Sequence, residues 1–160
     1  MMRTMRRIAL YGVGLLLAFL VGLSYATTSR ANGRGPIRHT CTPTDRDFIE
    51  TARTNMAAIS LWGQQYLEGD AEAAEVARQS GRSAKIVAGT APTDASLART
   101  RKLLVGMFTE YQRAMERQAK HRDAGRHIFQ AYGLANFAHD VLAEAEPGLA
   151  RRGCDVAPLL

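Results

Sequence analysis

The chain has 160 residues and a formal net charge of +6, from 21 Lys and Arg against 15 Asp and Glu. Three of the basic residues lie in the first 26 positions, so residues 27–160 carry 18 basic and 15 acidic groups, a net +3. No basic block is interleaved with aromatics, which excludes a nucleic-acid footprint, and 134 residues beyond position 26 suffice for one cored domain.

Arg3, Arg6 and Arg7 precede an uncharged apolar run from Ile8 to Leu23. Ser24-Tyr25-Ala26 then puts small residues at the positions a signal peptidase reads. A second cleavage position follows Ser29-Arg30-Ala31. Two readings of residues 1–26 stand: a cleaved signal peptide, or an uncleaved transmembrane anchor. The second arises because Ile8–Ala26 covers 19 residues, and roughly 20 apolar residues cross a bilayer. In both, a basic cluster before the apolar run sends the rest of the chain out of the cytoplasm. The expected location is therefore extracytoplasmic, secreted or held at the membrane through residues 8–26. Arg6-Arg7 matches a twin-arginine signal only weakly, because Ala9 stands where that signal favours a bulky apolar residue.

Residues 27–43 are polar and rich in Gly, Arg and Thr, with Pro36 and Pro43, and read as a linker. Residues 44–160 read as a helical bundle. Thr44 is the expected N-cap of the first helix, with Asp47 at its third position. Phe48, Ala52, Met56, Ile59, Gly63 and Tyr66 recur at helical spacing, and Gly69 ends the stripe. A second helix over about 71–88 carries Ala73, Ala77, Ser80, Ala84 and Val87, widened by Val76 and Gly81. These small side chains predict the close approach of a neighbour. Glycine inside a helix costs about 1 kcal/mol against alanine, so this helix is the weakest by pattern.

The third helix opens with Thr93 as expected cap and Asp94 in the first turn. Leu97, Leu104, Phe108, Tyr111 and Met115 form its core stripe, and Gly125 is expected to close it. Its polar face holds Arg99, Lys102, Glu110, Arg113, Glu116, Arg117 and Lys120, which reads as a solvated surface. The fourth helix is expected from Arg126 to Glu146, stopped by Pro147-Gly148. Its apolar surface is broad: Ile128, Ala131, Tyr132, Leu134, Ala135, Ala138, Val141 and Leu142.

Short connections make neighbouring helices antiparallel. With four alternating helices, the start of the first and the end of the last share one end of the bundle. Cys41 precedes the first and Cys154 follows the last, so they can meet. In an oxidising compartment two cysteines are most simply one disulfide. Residues 38–40 form no lipobox, and a two-cysteine metal site would need more ligands than His39. A long two-helix hairpin satisfies the same parity, but must run unbroken through Gly69 and Gly125. The expected fold is thus all-α: an antiparallel up-down four-helix bundle behind a signal or anchor segment, closed by one disulfide.

Candidate chemistry is sparse. The Glu-x-x-His pairs of carboxylate-bridged metal bundles are absent from the sequence, as are zinc-peptidase and covalent-haem motifs. No Gly-x-Ser-x-Gly elbow surrounds a serine, and the glycines of residues 32–35 follow no strand. His139 shares a helix face with Ile128, Tyr132, Ala135 and Leu142, with Asn136 close by. The favoured reading is a core histidine bonded to a tyrosine or a backbone carbonyl. The other is a small-ligand, haem or metal contact built from His139, Tyr132 and Asn136. His121 and His127 are expected to face solvent. Trp62 and Tyr66 read as core rather than as a stacking platform. The sequence therefore predicts an extracytoplasmic helical interaction module without evident catalysis, acting on a protein or cell-envelope partner and implying no particular cofactor.

Overall fold

The computed structural model describes residues 40–160, so the expected signal or anchor and most of the linker lie outside the described residues. The chain is all-helical, with no strand among the described residues. Helix α1 covers Pro43–Glu68, α2 Ala73–Ala88, α3 Ala95–Ala119 and α4 Gly125–Arg151; a short 3-10 turn, Ala157–Leu159, follows.

Helix α1 begins earlier than Thr44. Thr42 is the N-cap, its hydroxyl accepting from the Asp45 N–H at 3.1 Å, and Pro43 occupies the first turn. Proline suits that place because its missing N–H would find no helical partner there and its φ is already helical. The folded unit therefore takes in Cys41 to Pro43, read from sequence as linker. The helix ends where expected. Gly69, at φ +88°, lets the Asp70 N–H reach back to the Gln65 carbonyl at 2.8 Å.

Small residues on α2 do admit a neighbour. The Ser80 hydroxyl donates to the Phe108 carbonyl of α3 at 2.8 Å, and a Cβ at Gly81 would lie 2.7 Å from Gln112 Oε1. On the other side of α3, a Cβ at Gly106 would meet Leu134 of α4 at 3.2 Å. Helix α3 is thus the central element, packed along both α2 and α4. Helix α1 packs on α2 and more lightly on α3, and no Cα of it lies within 8 Å of one in α4.

Contacts fix the helix directions. Arg101, early in α3, donates to the carbonyls of Ala88 and Thr90 at the end of α2, while Phe108 meets Ser80. Those two helices run oppositely. His127 near the start of α4 meets Glu110, and Arg152 at its end meets Asp94 before α3, so α3 and α4 also run oppositely. The core between them is apolar: Phe48, Val76, Val87, Leu97, Leu104, Phe108, Met115, Leu142 and Leu149 are fully buried.

Further boundaries differ from expectation. Asp94, not Thr93, caps α3, accepting from the Ser96 and Leu97 N–H groups. Helix α3 stops at Ala119, before Gly125, and a non-glycine residue makes the left-handed closure: His121 sits at φ +52°, and the Arg122 N–H returns to the Arg117 carbonyl at 2.9 Å. Gly125 instead opens α4. Helix α4 passes through Pro147 to Arg151 rather than stopping at Glu146. A proline inside a helix loses a hydrogen bond and crowds the preceding turn, at about 3 kcal/mol. Burial of Leu149 opposes that loss, as does the closure at Gly153, φ +79°, where the Cys154 N–H bonds the Leu149 carbonyl at 3.0 Å.

Candidate functional site

The two cysteines are bonded, with Cα atoms 5.0 Å apart across 113 positions of sequence. The Cys41 N–H donates to the Arg152 carbonyl at 2.6 Å beside the bridge. Around it lies a polar cleft of about 390 Å³, lined by Thr42, Asp45, Thr93, Asp94 and Arg152 among others. Its centre is Asp45, only 4% exposed. Asp45 Oδ1 accepts the Thr93 and Asp94 N–H groups at 2.7 and 3.0 Å, and Oδ2 accepts the Thr42 and Thr93 hydroxyls at 2.7 and 3.0 Å. Burial pushes this carboxyl up, but the four donors together outweigh it and hold it below its ordinary range. Arg152 reaches Asp94 Oδ2 at 2.5 Å. Asp45 is thus spent on backbone and hydroxyl donors, and Arg152 on Asp94. They join the first turn of α1, the start of α3 and the end of α4, which is structural work.

His139 is not a sealed core residue. Its side chain is 39% exposed, and Nδ1 lies 3.6 Å from Asp140 Oδ1, beyond hydrogen-bond length. The reason is architectural. Only α3 packs along α4, so the flank of α4 bearing Tyr132, Asn136 and His139 stays at the protein boundary, each residue partly exposed. No cluster of three or more His, Cys, Asp or Glu side chains suited to a metal ion occurs among the described residues.

His127 differs too. It is only 24% exposed and its Nδ1–H donates to Glu110 Oε2 at 2.7 Å. Glu110, expected on a solvated face, is 15% exposed and also binds Arg113. The hydrogen bond from His127 leads in holding the Glu110 carboxyl below its ordinary range, against desolvation. Trp62 and Tyr66 pack against the core as expected, partly buried.

What the sequence reading missed lies on the outer side of α4. Phe129 is 77% exposed and Phe137 62%. Gly133 stands between them, and a Cβ added there would meet nothing within 4 Å. The buried residues of α4 are Ala131, Ala138, Leu142 and Leu149. At about 100° per residue, Phe129, Gly133 and Phe137 fall on the opposite side. The signal was available: two phenylalanines eight apart, on a helix whose apolar surface is too broad for one neighbour. Leu61 and Ile86 are the other large apolar side chains exposed among the described residues, and they sit singly on α1 and α2.

Comparison with family models, with curated proteins and with solved structures gives no match to this chain. None of the described helices is long and apolar enough to cross a membrane.

Proposed function

We propose that this chain is an extracytoplasmic helical interaction module that engages a protein or cell-envelope partner through the outer face of α4, with its four helices following an alternating up-down course. The observation that carries the reading is the exposed pair Phe129 and Phe137, aligned across Gly133 on the side of α4 away from the core. Large aromatics left in water are costly, and a patch of them on an otherwise charged surface marks a binding face. Support for the location comes from Arg3, Arg6 and Arg7 before the apolar run, and from the disulfide, which persists in oxidising compartments. In the polar cleft beside the disulfide, Asp45 is taken up by backbone and hydroxyl donors and Arg152 by Asp94, which favours a structural role for that end.

A photo-activatable residue placed at position 137 of the full chain in its native host tests the binding face. It should give a discrete cross-linked product that the same residue at exposed Arg53 on α1 does not. Equal yields at both positions, or none at either, overturn the reading. Location is tested separately by fusing residues 1–40 to a reporter active only outside the cytoplasm; a silent, well-expressed fusion removes the export claim.

A further inference from the structure

The outer face of α4 is self-complementary about Gly133. Phe129 and Phe137 lie four residues to either side of it, Gln130 and Asn136 three, and Arg126 and Asp140 seven. On a helical projection Arg126, Phe129, Gly133, Phe137 and Asp140 share an arc of about 80°. Arg126, Phe129, Phe137 and Asp140 are all exposed. An antiparallel partner helix related by a two-fold axis at Gly133 would therefore set each Phe129 against a Phe137. At both ends it would set Arg126 against Asp140.

We infer that α4 is a homodimerisation helix, and that the partner it fits is a second copy of this chain, antiparallel across Gly133. The inference rests on the reading of α4 as a binding face and names the occupant of that face.

Three features select this occupant. A two-fold interface requires that when residue i meets residue j, j also meets i, and the spacing about Gly133 meets that condition for an aromatic pair, an amide pair and a charge pair together. The charges also choose direction. A parallel pairing in register would set Arg126 on Arg126 and Asp140 on Asp140, a repulsive arrangement that the antiparallel one converts into two attractions. Finally, the axis passes through the one position on the face without a side chain. Nothing lies within 4 Å of where its Cβ would stand, so two helices can close to the short end of the usual 8–10 Å separation. Glu144 extends the acidic end of the face.

Sedimentation of the full chain in a mild non-ionic detergent, over a wide concentration range, tests this. A reversible dimer is expected. Arg126→Asp and Asp140→Arg should each weaken it about tenfold or more through like-charge contact, and the combined reversal should restore it to within about threefold of the native constant. Phe129→Ser with Phe137→Ser should leave a monomer of unchanged helical content. A native chain that stays monomeric at all concentrations overturns the inference. So does a dimer that both single reversals leave intact, or one that the double reversal fails to restore. The cross-linked product at position 137 separates the two levels of argument. An adduct of twice the chain mass agrees with self-association. A heterologous adduct, or Phe-dependent flotation with lipid vesicles, refutes it; the heterologous adduct leaves the interaction reading standing.

Discussion

Asp45 Oδ1 accepts the Thr93 backbone N–H at 2.7 Å, and through that bond the first turn of α1 holds the segment that leads into α3. A buried carboxylate with four donors is stable only while all four remain. Asp45→Ala would orphan the Thr93 and Asp94 N–H groups and leave the Thr42 and Thr93 hydroxyls to bond each other. A loss of about 2–4 kcal/mol is expected, since each bond to a charged group contributes about 1.5–3 kcal/mol and the freed donors regain some water. Asp45→Asn keeps one acceptor oxygen and should lose less. Chemical denaturation of the two variants against wild type measures both.

The same carboxylate gives stability a pH dependence. Its folded pKa is below the ordinary 3.8, so its contribution is present in full above that value and is lost as pH falls through the lower folded value. Glu110, also lowered, acts with the same sign. Wild type should therefore lose more stability than Asp45→Asn between pH 5 and about pH 2–3. Parallel losses in the two proteins would show that Asp45 is not the group responsible.

Gly81 faces Gln112 across the α2–α3 contact, with 2.7 Å between an added Cβ and Gln112 Oε1. What it would meet is the free end of a long side chain, which can turn aside. Gly81→Ala should then keep most of the gain that alanine gives inside a helix, and stabilise by about 0.5–1 kcal/mol. Gly81→Leu has no such room beside the Ser80–Phe108 bond and should destabilise. A melting temperature that falls for the alanine variant would mean that Gln112 cannot move.

His121 holds a left-handed conformation at φ +52°. For a residue with a side chain that costs about 1–2 kcal/mol, and glycine removes the strain at an entropic cost of about 0.5–1 kcal/mol. His121→Gly should stabilise by about 0.5–1 kcal/mol on that balance. His121→Val should do the reverse, because a β-branched side chain tolerates positive φ least. Differential scanning calorimetry of the pair reads the sign directly.

How much of this was legible in sequence depends on the range of the cause. The stripes of α2 and α3 were, because a helix buried on one face must repeat its apolar residues at helical spacing. Caps were placed one or two residues off, since Thr42 and Thr44, and again Thr93 and Asp94, are rival cap residues. Pro43 following Thr42 was the clue to the first. The role of Asp45 was hidden, because its partners lie 48 and 49 positions away. Helix α4 misled for another reason. Arg126, Gln130, Asp140 and Glu144 mark its outer side, but the remaining apolar arc is wider than the strip that α3 covers, so periodicity could not say which of its residues stay at the edge. His139 sits at that edge, and Phe129 and Phe137 stand among the polar residues of the outer side, where the core-facing apolar repeat gives no sign of them.

Cys41 and Cys154 lie in one bridge at the end where α1 begins and α4 finishes, both buried. Helices α1 and α4 do not pack along each other; the bridge, the Asp45 and Arg152 contacts beside it, and the Ala157–Leu159 turn, which packs on both helices with Leu159 buried, hold the two ends of the domain together. Closing a loop across 113 positions removes unfolded-chain entropy equivalent to about 4–5 kcal/mol. A domain of this size is stable by about 5–15 kcal/mol in total. Reduction should therefore lower the melting temperature by on the order of 15 °C, while helical content at low temperature changes little, because the apolar faces of α2, α3 and α4 remain packed. Cys41→Ser with Cys154→Ser should reproduce the reduced protein, as the loss acts mainly through the unfolded chain. Calorimetry with and without a reductant measures the shift, and peptide mapping of the non-reduced protein should recover the Cys41 and Cys154 peptides joined. Two free thiols in protein taken from its own host, or a shift below about 3 °C, would show that the bridge is not what closes the fold.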